Sequence, residues 1–154
     1  MCGIAGQVNL DGSAVSPKVL KRMTDRIAHR GPDGEGHWFC GEVGLGHRRL
    51  SIIDPSSAGH QPMVSLKGQY VLSYNGEIYN FRELREELVK KGYLFHSQTD
   101  SEVVLHALSE WGTDAFLKFN GMFALAFWNQ KEKTLLLARD RYGIKPLYYH
   151  QNAR

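Results

Sequence analysis

The chain has 154 residues, 42% of them hydrophobic and 23% charged, with a formal net charge of +3. That length suits a single domain with a real core, and 19 Lys+Arg against 16 Asp+Glu is too balanced for a nucleic-acid footprint. No apolar run approaches a membrane span, and the start MCGIAGQVNL lacks the basic and apolar pattern of a secretory leader. Two cysteines, Cys2 and Cys40, make no disulfide scaffold, so the expectation is a cytoplasmic protein with no membrane and no nucleic acid among its partners.

Taken in chain order, residues 3–10 read as a strand ended by the turn residues Asn9, Asp11 and Gly12. Ser16 as N-cap and Pro17 as first helical residue open a helix with Val19, Leu20, Met23 and Ile27 on one face. The loop HRGPDGEG (29–36) leads into a strand GHWFC and the run VGLGHRRLSII (43–53). A polar loop over 54–62 precedes a hairpin of 63–66 with 69–74 around Lys67-Gly68. Residues 80–92 form a helix capped by Asn80, with Phe81, Leu84 and Leu88 inward, Gly92 as stop, and Glu86–Lys90 and Glu87–Lys91 as four-apart ion pairs. A helix over 101–112 and a short one over 114–119 follow. The closing pair of strands is 122–129 and 134–140, and the first is apolar enough to lie between two layers. Hairpins with helices set apart indicate an α+β layered domain.

Nucleotide, zinc-protease and redox-pair motifs are absent, and the seven His are scattered without metal-ligand spacing, so no metal is expected. Cys2 has a bland reading as a small strand hydrophobe. Its chemical reading starts from removal of the initiator Met, which small second residues commonly allow. The thiol would then share its residue with a free α-amine of pKa about 7.7–8.0, able to act as general base near neutral pH.

MCGIAG, HRGPDGEG, GHRRLSIID, YNGEIYN, QTDSE and RDRYGIKPLYY, in that order from Met1 to about His150, resemble the N-terminal glutaminase domain of glutamine-hydrolysing asparagine synthetases. These enzymes carry a class II glutamine amidotransferase domain of the N-terminal-nucleophile hydrolase type. The resemblance implies an αββα sandwich of two antiparallel sheets over 1–154, truncated at its C-terminus, in a fragment of a longer chain whose synthetase domain is absent. It implies hydrolysis of L-glutamine to glutamate and ammonia through a Cys2 thioester, the ammonia serving asparagine synthesis or a related amidation. Cys2 matches the nucleophile, and Asn75 and Gly76 match the oxyanion hole. Arg49 matches the grip on the substrate α-carboxylate and is preferred to Arg48 because it precedes LSII. Leu50, Ser51, Ile52 and Ile53 line the same pocket, and Asp100, helped by Glu77, accepts the α-ammonium.

Several of these residues keep a plainer alternative. Asn75-Gly76 alone would read as a hairpin turn, and Asp100 could cap the following helix. In HRGPD, Arg30 and Asp33 are expected to pair in a supporting role, and Cys40 is expected to be packed and inert. No cofactor is expected in this chain, ATP and Mg belonging to the missing synthetase domain, and homodimerisation is left open. The rival functions are a papain-like cysteine hydrolase using His29 or His47 as base, and a catalytically silent glutamine-binding or interaction module.

Overall fold

The computed structural model describes residues 1–51 and 56–152. One sheet contains Gly3–Val8 (β1), Gly34–Cys40 (β2) and Val43–Arg49 (β3), in the order β1-β3-β2. The other contains Met63–Val64 (β4), Tyr70–Ile78 (β5), Gly121–Asn129 (β6) and Thr134–Arg139 (β7), in the order β4-β5-β6-β7. Every pairing is antiparallel. The helices are Pro17–Arg26 (α1), Phe81–Lys90 (α2), Asp100–Trp111 (α3) and the single turn Ala115–Lys118 (α4). No helix among the described residues is long and apolar enough to cross a membrane.

The layering follows from strand alternation. Along β3, Val43 and Leu45 face the second sheet and pack with Val71, Ala126 and Trp128. Gly44 and Gly46 face the other way, where α1 lies close: a Cβ on Gly46 would sit 2.6 Å from Thr24 Cγ2, and one on Gly44 would sit 2.9 Å from Val15 Cγ1. β6 serves both of its faces. Ala126 and Trp128 join the core between the sheets, while Phe123, Leu125 and Phe127 pack with Leu84, Leu88, Val104 and Leu108 of the helical layer. The apolar run expected between layers is there. The result is helix, sheet, sheet, helix.

Several local expectations are corrected. Leu20 is buried as expected, but Val19 and Met23 are 43% and 37% exposed, and α1 buries Thr24 in their place, because its contact is with glycines that admit small, close side chains. Ser16 and Asn80 precede their helices without a side-chain cap bond. Asn80 bridges elsewhere, donating to Lys118 O and accepting from Asn120 N–H. The four-apart ion pairs give way to tertiary ones: Glu87 meets Lys118 and Lys91 meets Glu110. Cys40 is exposed at the end of β2 rather than packed.

Candidate active site

Cys2 stands just before β1, and its thiol is held by the backbone that follows β3. Leu50 N–H donates to Cys2 Sγ at 3.3 Å, and the thiol faces Leu50 O at 3.6 Å. The HRGPD loop braces this contact. Arg30 Nε donates to Cys2 O at 3.1 Å, and Asp33 accepts from Ser51 N–H at 2.8 Å while its own N–H donates to Arg49 O. The expected Arg30–Asp33 pair is therefore replaced by two separate supports. Gly31 is pressed onto the same segment, since a Cβ there would lie 2.3 Å from Arg48 O.

The two arginines point apart, as alternation along a strand requires. Arg48 pairs with Asp25 and Glu35 beside α1, each at 2.5 Å, and also donates to Thr24 O. Arg49 lines the cleft that Cys2 opens into, donating to Ser56 O at 2.7 Å. Gly59 lies against its guanidinium so closely that a Cβ would be 2.2 Å from Nη2.

Across the cleft, β5 runs through Asn75 and Gly76 to Ile78, so Asn75-Gly76 is strand, not a turn. Past Leu72 the β4 side of β5 is no longer covered by a strand. Alternation aims the N–H groups of Tyr74, Gly76 and Ile78 at that open edge. Tyr74 N–H is taken by Gln61 Oε1 at 2.7 Å, and Ile78 N–H by Asp100 Oδ2 at 3.0 Å. The Gly76 N–H lies between them, in a residue that lines the cleft. A side chain at 76 is blocked from behind, where a Cβ would be 2.5 Å from Met122 O.

Asp100 is the first residue of α3, and Thr99 is the cap, its Oγ1 accepting from Glu102 N–H. The capping alternative for Asp100 is thus excluded. Its carboxylate accepts from the Tyr74 hydroxyl at 2.8 Å as well as from Ile78 N–H. Burial pushes the Asp100 carboxyl above its usual range, and burial likewise holds the Tyr74 phenol well above its own.

Cys2, Arg49, Leu50, Ser51, Asn75, Gly76, Glu77 and Asp100 all line one cleft. Ile52 and Ile53 lie outside the described residues. The sequence reading missed Gly59, Gln61, Tyr74, Thr99, Ser101 and Lys145 in the same wall. Tyr74, Thr99, Ser101 and Lys145 fall within the strings YNGEIYN, QTDSE and RDRYGIKPLYY, but no role was attached to them there. Neither His29 nor His47 lines the cleft. His47 donates from Nε2 to Tyr74 O at 2.9 Å, and burial lowers its pKa to about 4, so it is neutral and committed to a structural bond. Among the described residues no three His, Cys, Asp or Glu converge as a metal site.

A fold of two antiparallel sheets between helices, with a cysteine at the head of β1 opening into a cleft shared with the second sheet, defines an amidotransferase-type layered domain. Residues 1–154 match the family described as the glutamine amidotransferase domain, and the chain belongs to that family. It is similar to asparagine synthetase [glutamine-hydrolyzing] 1 of Bacillus subtilis, 45% identical over 152 residues that make up 97% of this chain and 24% of that protein. It is also similar to putative asparagine synthetase [glutamine-hydrolyzing] 2 of Methanocaldococcus jannaschii, 37% identical over 97% of this chain and 32% of that protein. The chain thus spans about a quarter to a third of the length of these relatives. Among solved structures, glutamine phosphoribosylpyrophosphate amidotransferase from B. subtilis, complexed with ADP and GMP, shares the fold with a TM-score of 0.73. That likeness holds at 18% identity, over 89% of this chain and 37% of the other.

Proposed function

We propose that this domain hydrolyses L-glutamine to L-glutamate and ammonia, with Cys2 as nucleophile once Met1 has been removed. The observation that carries the reading is the shared cleft, in which Cys2 faces the open β5 edge at Asn75 and Gly76. The Cys2 thiol adds to the side-chain amide carbon while its proton passes to the Cys2 α-amine. The tetrahedral oxyanion is met by the Gly76 N–H and the Asn75 side-chain amide. Collapse expels ammonia, which takes the proton from the α-ammonium and leaves a thioester. Water then adds to the thioester, with the α-amine again taking a proton, and glutamate departs as the thiol re-forms.

Arg49 and the Asp100–Glu77 side suit opposite ends of the amino-acid backbone. A guanidinium fork matches the carboxylate, and the carboxylates match the α-ammonium. Asp33, Arg30 and Leu50 hold the nucleophile rather than react. The ammonia would pass to an ATP-dependent synthetase partner, in keeping with the relatives being named glutamine-hydrolysing asparagine synthetases.

Met1 lines the cleft, and its peptide bond turns the Cys2 nitrogen into an amide without a basic lone pair. Protein beginning at Cys2 should release glutamate from glutamine, while Met1-retaining protein should not. Both forms are verified by intact mass and assayed from about pH 6 to 9, a window bracketing a free α-amine. Equal rates would overturn the mechanism. In the Cys2 form, Asn75→Ala should lower kcat by about a hundredfold, the usual effect of losing one oxyanion donor.

A further inference from the structure

Among the cationic side chains that line the cleft, Lys145 is the one that the mechanism above leaves without a task. It is 4% exposed and lines the cleft with Cys2, because the loop after β7 folds back toward the site. Asp140 causes the fold-back: its carboxylate accepts from the N–H groups of Phe123, Tyr142, Ile144 and Lys145. The Lys145 Nζ then donates to Met1 Sδ at 2.9 Å, and it forms no ion pair with a described carboxylate. A thioether is a weak acceptor for a buried ammonium. Removing Met1 takes away even that partner, and Lys145 and the new N-terminus share one cleft.

Resting on the glutaminase reading, we propose that Lys145 is a positioning residue that keeps the Cys2 α-amine uncharged, and so competent as the base. Met side-chain geometry limits the Lys145 Nζ to roughly 9 Å from the Cys2 nitrogen. At that range a like charge in a partly buried site disfavours the ammonium by about one pH unit. The other charged groups around the nitrogen are Arg30 on the Cys2 carbonyl, Arg49 of β3, Glu77 of β5 and Asp100 of α3, with the Tyr74 phenol behind. Arg30 is bound to the Cys2 backbone, and Arg49 faces the substrate carboxylate in the proposed complex. Lys145 is the cation left to oppose the pull of Glu77 and Asp100 on a protonated amine.

The test uses Cys2-starting protein with Lys145→Met and Lys145→Arg. Lys145→Met should move the acidic limb of the kcat/KM profile about one unit upward, and Lys145→Arg should leave it in place. NMR titration of the α-amine in protein labelled with 15N at cysteine should show the same shift. An unmoved amine in Lys145→Met overturns the proposal. So does a rise in KM with an unmoved limb, which would make Lys145 a substrate contact. Parent protein without glutamine turnover would refute the glutaminase reading instead, and the NMR titration would still decide the role of Lys145.

Discussion

His47 illustrates how one buried side chain carries both geometry and pH dependence. Its Nε2–H is used by Tyr74 O, its Nδ1 has no partner among the described residues, and burial lowers its pKa to about 4. An unfolded His titrates near 6.5 and the folded one lower, so protonation favours the unfolded chain. The stability it contributes is complete above pH about 6.5 and is lost as the pH falls toward 4. Between pH 7 and pH 5 this costs about 2 kcal/mol, and His106, lowered mainly by burial, adds in the same direction. Asp100 runs the other way: its raised carboxyl favours the fold at low pH and weakens it as the pH rises through the folded value. His47→Gln keeps a donor without the titration, so thermal melts at pH 5 and 7 should differ less than in the parent. An undiminished difference would remove His47 as the source. At the cleft, Arg49→Lys should raise KM for glutamine with a smaller effect on kcat, because a point charge replaces a fork. Arg48→Lys should leave KM nearly unchanged, its partners being Asp25 and Glu35 on the α1 side.

At the scale of elements, the sequence disclosed what depends on local pattern and hid what depends on a tertiary partner. Ser16 and Pro17 placed the start of α1, because a ring-fixed φ is a local property, and the run 43–53 contains β3. The inward face of α1 was read in part: Leu20 is buried as expected, but hydrophobicity also pointed to Val19 and Met23, while the glycines of β3 select Thr24. The Lys91–Glu110 and Lys118–Glu87 pairs join residues far apart in sequence, out of reach of a spacing rule. Cys2, Asn75 and Asp100 were legible through the resemblance, yet the open edge that aims Gly76 N–H comes from where β4 stops. The Asp140 loop was the largest omission, although Asp at 140 with Gly143 at φ +65 is a local turn signature. Asp140→Ala should leave several buried N–H groups without an acceptor, costing about 1–3 kcal/mol each way the loop fails to re-bond. Its melting temperature should fall, and the amine shift sought in Lys145→Met should appear in it as well. A loop that keeps Lys145 in place without Asp140 would show the shift absent.

At the scale of the whole molecule, the proposed chemistry is split between the sheets. Cys2 and Arg49 belong to the first sheet and its flanks, Asn75, Gly76 and Glu77 to the second, and Asp100 to the helix behind it. What fixes one half against the other is the core of Val43, Leu45, Val71, Ala126 and Trp128, with two polar bridges: His47 to Tyr74 O and Ser73 Oγ to Gly46 O at 3.1 Å. Misplacing a nucleophile from its oxyanion donors by about 1 Å can cost on the order of a hundredfold in rate. Leu45 and Leu88 are both buried leucines, at 1% and 0% exposure, but Leu45 lies between the sheets and Leu88 between α2 and the outer face of the second sheet. Leu45→Ala and Leu88→Ala should each lower stability by about 2–5 kcal/mol. Assayed well below their melting transitions, Leu45→Ala should lose at least about tenfold in kcat, and Leu88→Ala should stay within about twofold of the parent. Denaturant titration matches the two for stability, and steady-state kinetics separates them. If equal destabilisation brought equal loss of kcat, the apolar packing between the sheets would have no special hold on the cleft, and the two halves would be aligned by the His47–Tyr74 and Ser73–Gly46 bridges instead.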